Sequence, residues 1–222
     1  MVSSIDMDIL QYILSNGPLI ASRTGEHIAI VAVAVGVAVL TGVPIGIAIS
    51  QHKRSADAVL YAASMMITVP SIALFGIMIP VLSLIGQGIG YLPAVIAVLL
   101  YSQLPIIRNT YSAMSNIDPA LREAARGMGL TSLQRLWQVE LPIALPVIMA
   151  GVRQAMVMNI GVAAIAAYIG AGGLGAFITR GISQTDPRQL VTGALAVSIL
   201  AVLADFALLG LQRLVTSPGL RQ

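Results

Sequence analysis

The sequence predicts an all-α integral membrane protein, and three observations carry that prediction. Hydrophobic residues fill 57% of the 222 positions and charged residues only 9%, too few charges to clothe a soluble domain. Five stretches reach the roughly 20 predominantly apolar residues that a membrane-crossing helix needs. The basic residues between those stretches fall mostly on one side.

Met1 to Asp8 carries no basic segment, and Asp6 and Asp8 have the wrong sign for a secretory leader, so a cleaved signal is not expected. Asp6 to Leu14 reads as a short amphipathic helix on the outer interface. The first span runs from about Ile28 to Ser50 and the second from about Ala58 to Ile85. The third covers about Tyr91 to Ala113, the fourth Leu141 to Ile169, and the fifth Leu190 to Leu214. The second is long and holds Pro70 and Pro80. It is either a kinked span or a span plus a half-helix, which leaves a sixth crossing open.

With five spans, one side collects Lys53, Arg54, Arg108, Arg122, Arg126, Arg135, Arg213 and Arg221, against Arg23, Arg180 and Arg188 on the other. The richer side is expected to be cytoplasmic. The N-terminus (1–26) is then outside and the C-terminus inside. Residues 1–222 form one membrane domain, without linker or repeat, and residues 116–141 are a polar cytoplasmic loop.

A formal charge of +3 and the lack of a basic stripe interleaved with aromatics speak against nucleic-acid binding. Without cysteine there are no disulfides or thiolate metal sites. Neither GxxxxGK[ST] nor HExxH occurs. Gly170-Ala-Gly-Gly-Leu-Gly175 has the spacing of a dinucleotide fingerprint but lacks the strand and the βαβ unit around it. It reads as a flexible outer loop.

The polar loop has helix punctuation of its own. Asp118-Pro119 is an N-cap followed by proline at the first helical position. Gly127 or Gly129 ends that helix. Thr131-Ser-Leu-Gln134 is a capping box opening a second short helix, which Pro142 is expected to stop before the fourth span. Ala120, Glu123, Ala124 and Gly127 share one face, and all but Glu123 are small, which lets another backbone approach closely. Leu133, Leu136 and Trp137 form an apolar stripe. On helix logic alone, the pair is either a docking surface or a connector capping its own bundle.

Glu123-Ala124-Ala125, three residues, Gly129, nine residues, then Val139-Glu-Leu141-Pro142 resembles the EAA loop of ABC-importer permeases, departing only by valine for isoleucine. From Gly42 onward, Thr68-Val-Pro70-Ser71, Leu104-Pro-Ile-Ile-Arg-Asn-Thr-Tyr111, Glu123-Ala-Ala-Arg-Gly-Met-Gly129, Val139 to Arg153 and Ile169 to Gly175 resemble the quaternary-amine branch. The resemblance implies the type I ABC-importer permease fold in a bacterial inner membrane. The solute would be glycine betaine, carnitine or choline, with a methionine-type importer as the competing branch. It also implies separate partners: an ATPase that holds ATP and Mg, an extracytoplasmic substrate-binding protein, and a second copy or a homologous permease. The chain itself would hold no cofactor and no catalytic site. Glu123 would contact the ATPase, Ala124 and Ala125 would permit close approach, Gly129 would turn the chain, and Leu141-Pro142 would set the exit into the membrane. Gly129→Asp is expected to uncouple the loop, through a left-handed or crowded turn.

Arg153 lies about ten residues past Pro142, roughly 15 Å deep at 1.5 Å per residue, and Asp205 lies at comparable depth in the fifth span. Isolated intramembrane charges usually pair, so an Arg153–Asp205 ion pair is expected. Met65, Met66, Tyr101, Gln103, Met158 and Asn159 are placed either to line a path for a greasy cation or simply to pack. Thr68, Pro70 and Ser71 break the second span as a hinge or a passive kink. Gly42-xxx-Gly46 suits a close helix contact. His27 and His52 read as interfacial. A channel or proton-coupled carrier fits poorly with the cytoplasmic helix pair and the scarcity of buried carboxylates. An intramembrane enzyme lacks any visible nucleophile–base or metal-ligand set.

Overall fold

A computed structural model describes residues 2–216, with side chains from residue 8 onward. Among these residues every regular element is helical. Helix α1 (Val2–Ser15) precedes α2 (Gly17–Ile49). The second helix starts well before the expected Ile28. Its polar stretch stays helical because its side chains are satisfied locally: Arg23 pairs with Glu26 at 2.8 Å, and the Thr24 hydroxyl donates to the Ile20 carbonyl at 2.8 Å.

Next come α3 (Lys53–Thr68) and α4 (Ser71–Ser83), separated by Val69 and Pro70. Helix α5 covers Tyr91–Ser115, α6 Pro119–Gly127 and α7 Ser132–Arg135. A π-turn over Leu136–Glu140 leads into α8 (Leu141–Ile165), which tightens to a 3₁₀ turn at Ala166–Ile169. Helix α9 (Gly175–Ser183) and helix α10 (Pro187–Val215) complete the described chain. By length and apolarity four helices can cross a membrane, and the broken α3–α4 pair brings the number to five.

One expectation needs correction. Pro142 does not stop the second loop helix, because Ser132 to Ile169 is continuous. The wider turn just before the proline, where the Leu141 N–H bonds the Leu136 carbonyl, absorbs a residue that cannot donate in an α-helix. The glycine-rich stretch is non-helical from Gly170 to Leu174, as expected, and α9 follows it from Gly175.

The chain forms two compact units whose boundaries cut across the long helices. One runs up to Gly36 and adds Val69–Leu99 and Met156–Ala204. The other contains Val37–Thr68, Leu100–Ala155 and the chain from Asp205. The second unit has an apolar core of Ala113, Met114, Ile117, Ala144 and Ile148. There α2 lies so close to α5 that a Cβ on Gly46 would come within 2.6 Å of Thr110 Cβ, and one on Gly42 within 2.9 Å of Ile106 Cγ2. The Gly42-xxx-Gly46 spacing is therefore a close helix contact.

Candidate functional site

The loop between α5 and α8 folds as its punctuation dictates. The Asp118 carboxylate accepts from the Ala120 N–H at 2.8 Å, which caps α6 with Pro119 in its first turn. Gly129 turns the chain out of α6 at φ +80°, and the Leu130 N–H donates back to the Ala125 carbonyl. Apart from its chain neighbours, nothing lies within 4 Å of a Cβ built on Gly129. Of the two alternatives the turn is the left-handed one and not the crowded one, so the backbone conformation carries the expectation for Gly129→Asp. The Thr131–Gln134 capping box is reciprocal.

The outward face carries Ala120, Glu123, Ala124 and Gly127, all exposed. Ala125 is only 1% exposed and packs within its own chain. Of the two alanines, then, Ala124 alone is open to close approach from outside. Leu133 and Trp137 stand 66% and 65% exposed, while Leu136 packs against the core of its unit. Leu141 and Pro142 are half-buried at the start of α8.

Glu140 went unnoticed in the sequence, where it is one more acid in a polar loop. It is buried, its Oε1 accepts from Arg135 Nε at 2.7 Å, and Arg122 Nε is 3.4 Å from the same oxygen. Arg122 Nη2 also donates to the Met114 carbonyl at 2.6 Å. These contacts fasten α6 and α7 to one buried carboxylate, which turns two short helices into a stiff elbow.

Arg153 and Asp205 do meet, and their contact is bidentate. Arg153 Nε and Nη2 donate to Asp205 Oδ1 and Oδ2, each at 2.9 Å, with 25% and 37% of the two side chains exposed. Gln212 extends the network from α10 to the Pro146 carbonyl of α8 at 3.3 Å. Pro146 sits inside α8.

The residues proposed for a path do not share one environment. Tyr101 and Asn159 are buried and engaged with neighbours, and the Gln103 amide donates to the Thr41 hydroxyl at 3.0 Å. Met158 is half-buried, whereas Met65 and Met66 near the end of α3 are exposed. Just beyond them, the Thr68 hydroxyl donates to the Met65 carbonyl at 2.7 Å. Pro70 then stands extended at φ −59°, ψ 137° before Ser71 begins α4. Thr68, Pro70 and Ser71 therefore mark a true helix break.

In the other unit, the glycine-rich segment is a clasp rather than a flexible loop. Gly170, Gly172 and Gly173 take φ between +70° and +78°. The Gly173 N–H donates to Glu26 Oε2 at 2.8 Å, and the Leu174 N–H donates to His27 Nδ1 at 3.3 Å. His27 is wholly buried, with Nε2 3.0 Å from the Ile160 carbonyl, so it is not interfacial. With Nδ1 accepting, Nε2 carries the proton and donates to Ile160, which defines one neutral tautomer. A lone histidine at a span end gives no hint of this; the signal that existed was its nearness to Glu26 at the head of a long apolar helix.

Residues 29–217 match the family described as "Binding-protein-dependent transport system inner membrane component". The chain is 55% identical over 215 residues to the osmoprotectant import permease protein OsmW of Salmonella typhimurium, covering 97% of this chain and 100% of that protein. It is 37% identical over 213 residues to the glycine betaine/carnitine/choline transport system permease protein OpuCB of Bacillus subtilis, covering 96% of each. Among solved structures, an inward-facing form of the MetNI methionine ABC transporter aligns with a TM-score of 0.80 at 25% identity. That alignment covers 90% of this chain and 97% of the other.

Proposed function

This chain belongs to the family of binding-protein-dependent transport system inner membrane components, and from that premise we propose that it is the permease subunit of an ABC importer for quaternary-amine osmoprotectants. It is a multi-pass membrane protein of all-helical, type I importer architecture, and permeases of this kind leave ATP hydrolysis to a separate subunit. The solute class rests on the relatives named for glycine betaine, carnitine, choline and osmoprotectant transport. The methionine-type reading has a more distant structural likeness behind it.

The observation that carries the mechanism is the stiff elbow formed by α6, the turn at Gly129 and α7. Glu123, Ala124 and Gly127 face outward while Glu140 pins both helices from behind. An ATPase docked on that face would move it as a lever, because Ser132 to Ile169 is one continuous helix. Motion at the elbow would pass along it without a joint at Pro142. One chain offers one such elbow and ATP-driven closure joins two ATPase subunits, so the working unit is two permease copies or a pair of homologues, served by a binding protein outside. The N-terminus is then outside and the loop cytoplasmic, as the distribution of basic residues expects.

For the solute, Met65 and Met66 are the path candidates exposed on their own chain. Polarizable thioethers suit a greasy cation, and the helix break at Thr68–Ser71 beside them supplies a hinge at the gate. Gly129→Val tests the lever. A β-branched residue at φ +80° strains the turn by roughly 1–2 kcal/mol and misaligns α6, so solute-stimulated ATPase activity and uptake in the purified, reconstituted importer should both fall. Normal coupling in that variant, or in Ala124→Trp, would remove the loop from the mechanism.

A further inference from the structure

The cleft between the two loop helices and the end of α2 holds more positive charge than its own chain neutralises. It is a cavity of about 440 Å³ lined by Arg122, Arg126, Arg135 and Glu140, with Ser50 and Gln51 at one wall. That volume falls within the roughly 300–1,000 Å³ typical of small-molecule sites. Three arginines and a single glutamate line the cleft. Glu140 Oε1 is already committed to Arg135, and Arg122 Nε, buried and 3.4 Å from that oxygen, makes no hydrogen bond. The Arg126 side chain has no acceptor among the described residues. Arg122 and Arg135 are partly desolvated and share one counter-charge, and the exposed Arg126 at the mouth adds a third positive group. Such an arrangement favours an added anion.

We propose that this cleft is a binding site for a phosphate group. Planar guanidinium forks match phosphate oxygens two at a time, and the Gln51 amide adds a neutral donor at the wall. The phosphate could come from the headgroup of an anionic phospholipid or from a free anion. The cleft sits where the polar loop gives way to the apolar helices α5 and α8, which is the level of lipid phosphates if the spans cross as expected. A bound phosphate would join Arg126 of α6, Arg135 of α7 and the end of α2, and so hold the elbow at a fixed angle. The site does not depend on which partner docks on the outward face.

The test uses the assembled importer in nanodiscs of phosphatidylcholine, with and without phosphatidylglycerol. Thermal unfolding and lipid retention in native mass spectra are the readouts. Arg126→Gln leaves the Glu140 contacts intact, so the variant should fold. Phosphatidylglycerol should be retained and raise the unfolding midpoint, and Arg126→Gln should weaken retention roughly tenfold, as expected for one charge-assisted contact. Arg54→Gln, an exposed charge outside the cleft, should change nothing. If inorganic phosphate in phosphatidylcholine discs gives the same Arg126-dependent shift, and phosphatidylglycerol does not, the source is the free anion. The proposal is overturned if neither probe shifts the midpoint, if Arg126→Gln behaves as wild type, or if Arg54→Gln is equally impaired. It is also overturned if lipid binds only after the ATPase is stripped away. ATPase coupling is measured separately, so failure of the lever reading leaves these outcomes standing.

Discussion

The two units of this chain tie their distant segments together by different means. In the unit containing the loop, charge answers charge: Arg153 with Asp205, and Arg122 and Arg135 with Glu140. In the other, the ion pairs are local, Arg23 with Glu26 and Arg188 with Asp186. There side-chain acceptors make the long-range ties by capturing backbone donors, as Glu26 takes the Gly173 N–H and His27 takes the Leu174 N–H. Ion pairs tie one helix to another through long side chains. A histidine clasp on a left-handed glycine turn fixes the backbone itself. The first arrangement suits a part that transmits force, and the second a part that must keep its shape.

The largest test of that contrast is Asp205→Leu. It strands Arg153 within the membrane region, and breaking a buried pair this way costs about 3–5 kcal/mol; partial exposure puts this pair toward the lower end. Pairing it with Arg153→Met should recover most of the lost thermal stability in detergent. Strict additivity of the two single changes would show that the pair does not bind these helices together.

A smaller effect is expected of His27→Leu, which leaves the Leu174 N–H without its acceptor at a cost of about 1–3 kcal/mol. Amide exchange at Gly173 and Leu174 should accelerate while exchange in the α6–α7 loop stays unchanged. Equal acceleration in both places would erase the distinction between clasp and lever.

The smallest concerns Asp186, just before α10. Its hydrogen bond from Arg188 lowers its pKa from 3.8 to about 2, and Arg188 in turn lies over the Tyr12 ring of α1 at 5.9 Å. A depressed carboxylate pKa means that its contribution is complete above pH 3.8 and is lost as pH falls through about 2. Asp186→Asn should therefore flatten the acid limb of the stability profile slightly and leave the neutral region unchanged; a shift at pH 7 would contradict that assignment.

Local chemistry made the loop legible. Asp118-Pro119, Gly129 and Thr131–Gln134 each act through neighbours within a few residues, and each took the predicted conformation. Arg153 and Asp205 were readable because membrane depth restricts an ion to few partners. Pro142 misled because a stop signal is only a tendency, and a single widened turn removed its cost. Ala125 misled because a three-residue motif does not say which residue faces inward.

The sequence by itself determined that the chain is a helical membrane protein, how its loop helices are capped, that the second span breaks at Pro70, and that two opposite charges would meet between its fourth and fifth spans. Those outcomes follow from hydropathy, local hydrogen bonding and the cost of an unpaired charge, all short-range or one-dimensional. Only the tertiary structure decided that Glu140 would serve two arginines and that His27 would hold a glycine turn almost 150 positions away. Such contacts depend on which helix faces arrive together, and that is settled by packing across the whole chain rather than by any segment of it.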